Sequence, residues 1–211
     1  MSQKAKENIL RKIQAALATP TARPVPKPDF TTPIYVPQPE HMAVGFVETF
    51  KKNNGEFYYC EDEAEMLVQL KWLVQQKNLR NIFVWEPPLI ELIAPSGIAF
   101  ATDDARLLQV DAGITLCECL IARTGSVMVS SGQAAGRRLT IYPHIHIVVA
   151  YLSQLLPDIK DGLELMQQRY GTQLPSMISM IAGPSRTADI EKTLVLGAHG
   201  PKELILLLVE D

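Results

Sequence analysis

Cysteine is scarce in this chain of 211 residues: Cys60, Cys117 and Cys119 are all there are. The count is odd, the one close pair is C-x-C, and no CxxC spacing occurs. That pattern argues against a disulfide framework. It also leaves too few thiolates for a self-contained iron–sulfur centre, which takes about four. Long apolar runs are missing too. No stretch approaches the ~20 residues of a membrane helix, and the opening MSQKAKENILRKIQAALA lacks the apolar core of a signal peptide. The cytoplasm is therefore the expected location, with no membrane span. Nor is there an excess of positive charge. Lys and Arg number 20 against 23 Asp and Glu, for a net charge of −3. A general phosphate-backbone binder would need a basic face, so no nucleic-acid partner is expected, although a local basic pocket is still compatible with the balance.

What is present is an ordinary globular composition, 47% hydrophobic and 20% charged, in a chain long enough to bury roughly 70% of its unfolded surface. Residues 2–18 read as a helix, with Ile9, Ile13, Ala16 and Leu17 at helical spacing. Pro20, Pro24, Pro26, Pro28, Pro33, Pro37 and Pro39 follow, and such a run fixes φ and removes donors, giving an extended connector. Residues 1–39 are thus expected to be a helical arm on a tether, and 40–211 the main domain. Within that domain, helix 41–53, strand 56–60, helix from Glu63, strand 81–85, a short helix at 89–93 and a strand at 98–100 alternate. The sequence DEAE provides a capping box, with Asp62 as N-cap and Glu65 three residues on. Its buried stripe is read as Leu67, Leu70 and Val74. The alternation predicts an α/β fold with a parallel-rich, doubly wound sheet flanked by helices.

Further on, 118–123 and 126–130 read as two strands joined by a tight turn at Thr124-Gly125, followed by the glycine-rich loop SSGQAAGRR. Strand 144–149, helix 161–170 stopped by Gly171, buried strand 177–182, a short helix over 187–196 and a central strand at 204–209 complete the reading. Thr187 would cap the short helix, Asp189 and Glu191 would sit in its first turn, and Gly197 would stop it. Helix starts beyond strand ends gather anions. The Ser185–Thr187 amides and Arg186 therefore form a candidate carboxylate or phosphate site, unless Arg186 merely pairs with Asp189 or Glu191. The loop Ser130–Arg138 is either a second anion-binding element or a connection with solvated arginines. His144 and His146 share a strand face, which suits either a metal or, as preferred here, one packed histidine and one at the strand start. His199 is either an acid/base group or a cap for helix carbonyls. Glu118 reads as a strand-edge charge rather than a buried carboxylate, and Cys117 and Cys119 as small hydrophobes on alternate faces.

The run G-P-S-R-T-A-D-I-E-x-T-L-V-L-G-x-H-G-P, beginning at Gly183, closely resembles the C-terminal signature of the LutC-type LUD-domain family. The likeness continues more loosely through Ala122–Ser126, the S-S-G loop, Arg137–Leu139 and His146–Val149, and covers roughly 110–211 well. It implies a NagB/RpiA/CoA-transferase-like fold. It also implies a role in oxidising L-lactate to pyruvate beside LutA-like and LutB-like partners that carry the iron–sulfur clusters, with no cofactor in this chain. Two other readings stay open. One is a stand-alone enzyme of that superfamily acting on a phosphorylated, folate or CoA-linked acid. The other is a non-catalytic scaffold. The candidate ligand-binding set is Gly183, Ser185, Arg186, Thr187, Gly125, Ser126, Ser131, Gly132, Arg137 and Arg138. The candidate catalytic groups are His199 and Glu191, and no metal site is expected. Arg123 stands where the family often has an acidic residue, and His144 where many members have proline.

Overall fold

The computed structural model describes residues 3–18, 41–103, 107–190, 193–197 and 199–211. The chain divides into two compact units, Met1–Pro37 and Gln38–Asp211. The first holds helix α1 (Gln3–Leu17). The proline-rich connector expected at 19–39 lies outside the described residues.

The second unit begins with α2 (Met42–Lys52), β1 (Glu56–Cys60), α3 (Glu63–Gln76), β2 (Ile82–Val84) and α4 (Pro87–Ile93). Asp62 caps α3 by accepting from the Glu65 amide at 2.7 Å, and the Glu65 carboxylate accepts from the Glu61 amide at 2.7 Å. Three more strands, β3 (Ala112–Thr115), β4 (Cys119–Ile121) and β5 (Ser126–Ser130), precede β6 (Ile145–Tyr151). The chain ends with β7 (Leu155–Leu156), α5 (Ile159–Tyr170), β8 (Ile178–Ile181), β9 (Arg186–Ile190), β10 (Thr193–Leu196) and β11 (Glu203–Val209).

Five strands form the central sheet in the order β1-β11-β6-β3-β2, every pair parallel. Because β1 and β2 occupy opposite edges, the connection through α3 passes from one edge of the sheet to the other. Its Met66, Leu70 and Leu73 pack on one face against Ile147, Val149, Ile205 and Leu207, with Leu89 and Ile93 of α4. Leu67 and Val74, read as core from the sequence, are partly buried at the margin. On the other face Val148, Ala150, Leu206 and Leu208 meet Phe46 and Phe50 of α2, together with Leu120, Val127 and Val129. Burial on both faces is why β6 from Ile147 to Ala150 and β11 from Leu204 to Val209 are apolar runs. The second sheet, β7-β4-β5-β8, lies on this face. Helix α5 covers its far side, setting Met166 against Cys119, Ile121 and Met128.

Three expectations fail. The strand at 98–100 is reduced to a single bridge, Phe83 to Ala101, that trims the edge of β2. The segment 177–182 forms a half-buried outer strand, not a buried one, with Met180 exposed. No helix forms over 187–196. Those residues make the antiparallel hairpin β9–β10, with Thr187 opposite Val195 and Ile190 opposite Thr193. The β-branched residues Thr187, Ile190, Thr193 and Val195 favour the strand, and a segment of this length repays helix nucleation poorly. Gly197 does adopt the left-handed conformation, φ +74°, but it ends a strand.

Candidate functional site

The carboxyl ends of parallel strands are where open α/β sheets collect ligands. Beyond β2 come Trp85 and Glu86; beyond β3 come Leu116, Cys117 and Glu118. Two carboxylates in these segments are buried, Glu86 at 4% exposure and Glu118 at 1%. The loop after β5 links them.

Glu118 is thoroughly satisfied. Its amide donates to the Met128 carbonyl, which fixes the backbone beside β5. Its carboxylate accepts from Ser130 Oγ at 2.6 Å and Tyr170 Oη at 2.7 Å, and is ion-paired with the half-exposed Arg169 guanidinium. Helix α5 thus supplies a cation and a phenol from adjacent positions of its last turn. Burial, then the bond to Glu118, raises the Tyr170 pKa. The expected strand-edge charge at Glu118 is instead an interior anion, because the second sheet and α5 close over the segment.

Glu86 has the opposite environment. It occupies the N-cap position of α4 but makes no capping bond. Neither carboxylate oxygen has a hydrogen-bond partner among the described residues. Burial pushes its pKa up to about 7, while the amides of Ala135, Glu86 itself and Leu116 approach without completing bonds and pull it partly back. Cys117, whose thiol burial drives upward, feels both carboxylates. Deeper in the same sheet His146 is fully buried. Its Nε2 pairs with Thr115 Oγ1 at 2.8 Å, and burial lowers its pKa to about 4. His144 is exposed at the strand start.

These two shifts act oppositely on stability. Between pH 4.5 and about 7 folded Glu86 keeps a proton that the unfolded chain has released, so stability falls as pH rises through that window. Neutral His146 contributes stability above its ordinary pKa that is lost as pH falls toward 4. Glu86→Gln cannot ionise. Its stability relative to wild type is expected to grow from pH 5 to pH 8 by up to about 3 kcal/mol, His146 acting equally in both proteins. Urea denaturation at four pH values measures this, and a difference that stays flat contradicts it.

The loop Ser130–Arg138 is built by its own contacts. The Ser130 amide donates to Gln133 Oε1, the Gly132 amide to Ser130 Oγ and the Ser131 amide to the Met177 carbonyl. Those amides are engaged within the protein, not presented to a ligand. Arg137 donates to Ser176 Oγ at 2.7 Å, and Ser131 Oγ lies 3.3 Å from the same hydroxyl. The Arg138 guanidinium stacks 5.1 Å above the Trp85 ring.

The other candidates fall elsewhere. Gly125 makes a left-handed turn against the backbone of α2, and Ser126 is buried with its hydroxyl on Thr124. Gly183 abuts the Asn53 carbonyl, to which Arg186 also donates. Ser185 donates its amide to Pro201 and accepts from Gly197. Thr187 lies in β9, so Ser185–Thr187 form no helix start, and the supposed helix amides are strand amides. His199 is exposed, and Glu191 lies outside the described residues. Strand β8 separates the two candidate anion loops. Ser130 pairs with its first residue, while the 183–187 segment follows its last, so they share no cleft wall. Arg123, the departure from the family pattern, is ion-paired with Asp158, the N-cap of α5, at 2.6 Å. Sequence reasoning missed Glu86, Arg169, Tyr170 and Ser176. An acidic residue directly between a strand and Pro87-Pro88 was the one available signal.

A parallel α/β domain with buried carboxylates under a loop at its strand ends defines the class. The chain belongs to the LUD domain family, whose model matches residues 95–209. It is similar to lactate utilization protein C of Halalkalibacterium halodurans, 27% identical over 205 residues and 89% of each chain. Lactate utilization protein C of Bacillus subtilis is 35% identical over 105 residues, covering 49% of this chain and 44% of that one. The protein YkgG of Escherichia coli is 31% identical over 133 residues, covering 62% and 53%. A crystal structure of a DUF162 family protein from Deinococcus radiodurans shares the fold, with a TM-score of 0.59 at 18% identity over 80% of this chain and 96% of that one. Among the described residues no helix is long and apolar enough to cross a membrane.

Proposed function

We propose that this chain is a cytoplasmic subunit of an L-lactate-oxidising system, converting lactate to pyruvate beside LutA-like and LutB-like iron–sulfur partners. The observation that carries the reading is the similarity, across 89% of both chains, to a protein named for lactate utilisation. Geometry supports the assignment of the clusters to partners. Cys60, Cys117 and Cys119 are buried in three different core clusters, so their thiols do not converge. Burial also raises Cys60 and Cys119 to about 11, far from the thiolate form that binds iron.

Deleting the gene should abolish growth on L-lactate while sparing growth on pyruvate, and the full chain supplied in trans should restore it. Co-purification from native extract should bring iron with the partners. Normal growth of the deletion strain on L-lactate overturns the reading.

A further inference from the structure

Among the described residues, Glu86 and Trp85, adjacent in sequence beyond β2, leave a buried hydrogen-bond acceptor and a buried donor unused side by side. Glu86 is 4% exposed and neither carboxylate oxygen has a hydrogen-bond partner among the described residues, and the same holds for the buried Trp85 Nε1. Both residues meet Ala135 of the covering loop: Trp85 packs on the cluster that contains it, and the Ala135 amide approaches Glu86. Glu86 makes no capping bond to α4, whose first two residues, Pro87 and Pro88, have no amide to offer it. Leaving such groups unmatched in the interior is costly unless something supplies the missing atoms. Cys117 feels the Glu86 carboxylate, and Arg138 is stacked on Trp85.

We propose that Trp85 and Glu86 form a donor–acceptor pair that binds a small 2-hydroxy acid beneath the loop 131–138. The indole N–H donates to the ligand's carboxylate, and Glu86 accepts from its hydroxyl. A 2-hydroxy acid satisfies both orphans at once, since it carries an acceptor and a donor on neighbouring carbons. The choice of L-lactate as probe rests on the function proposed above. Closure of both groups from solvent requires the loop to open for entry, and Gly132 and Gly136 lie within it, Gly136 with φ +57°.

The test is calorimetric titration of the full chain with L-lactate, for wild type, Glu86→Met, which has no strong acceptor, and Trp85→Phe, with thermal midpoints of each. Wild-type binding that weakens about 10- to 100-fold in each variant, with midpoints no lower than wild type, supports the pair. Equal lactate binding by both folded variants overturns it and leaves the orphans to buried water. Absence of wild-type binding at tens of millimolar overturns it as well. The functional reading fails separately, through normal growth of the deletion strain on L-lactate.

Discussion

Arg169→Met is expected to lower stability by about 3 kcal/mol at pH 7, and Glu118→Gln by clearly less. Breaking a buried ion pair costs roughly 3–5 kcal/mol when the stranded charge stays inside, and the stranded charge here is Glu118, 1% exposed. The Arg169 side chain is 45% exposed, which places the loss at the lower end of that range. Removing the carboxylate instead lets Arg169 turn to solvent, while Ser130 and Tyr170 keep a glutamine carbonyl as acceptor. The two variants therefore differ although they break the same pair. Urea unfolding of both, with the double variant completing the cycle, reads the asymmetry. If Arg169→Met stays within 1 kcal/mol of wild type, the pair behaves as a surface salt bridge.

Gly125→Ala is expected to cost about 2–5 kcal/mol, the sum of about 1–2 for a left-handed residue with a Cβ and 1–3 for overpacking. The glycine has φ +56°, and an added Cβ would lie 2.5 Å from the Phe50 nitrogen and 2.7 Å from the Thr49 carbonyl carbon. These are backbone atoms of α2, so no side chain can rotate away. Gly125→Asn separates the two causes, since asparagine tolerates the left-handed region. Strain alone would leave Asn close to wild type. A collision with α2 makes Asn at least as damaging as Ala, and that is the expected thermal-denaturation result.

The same turn shows what can be read from sequence. Thr124-Gly125 between two apolar runs announces a tight connection, and the apolar runs of β6 and β11 announce strands covered on both sides. The parallel sheet follows from such local signals. The hairpin β9–β10 was misread because Thr187, Asp189, Glu191 and Gly197 imitate helix start and stop signals, while the strand preference is spread over β-branched residues between them. The site was less legible for another reason. Glu118 gains its meaning from Arg169 and Tyr170, some fifty residues away, and no local pattern pairs them. Arg169 alone looks like an ordinary cation in the last turn of a helix. Glu86 is noticeable through what it does not contact, a property visible only in three dimensions.

The insertion of β11 between β1 and β6 also bears on how the chain is made. β1 is complete at Cys60, yet its sheet neighbour begins at Glu203, about 140 residues later. At about 5–20 residues per second, a nascent chain carries β1 for roughly 7–30 s before that neighbour exists. Throughout this interval the inner edge of β1, joined by that of β6 once the chain has passed Tyr151, offers unpaired amides and carbonyls to any passing strand. Substitutions that weaken β11 should thus act first on the yield of folded protein during synthesis, with premature strand exchange between nascent molecules as the competing fate.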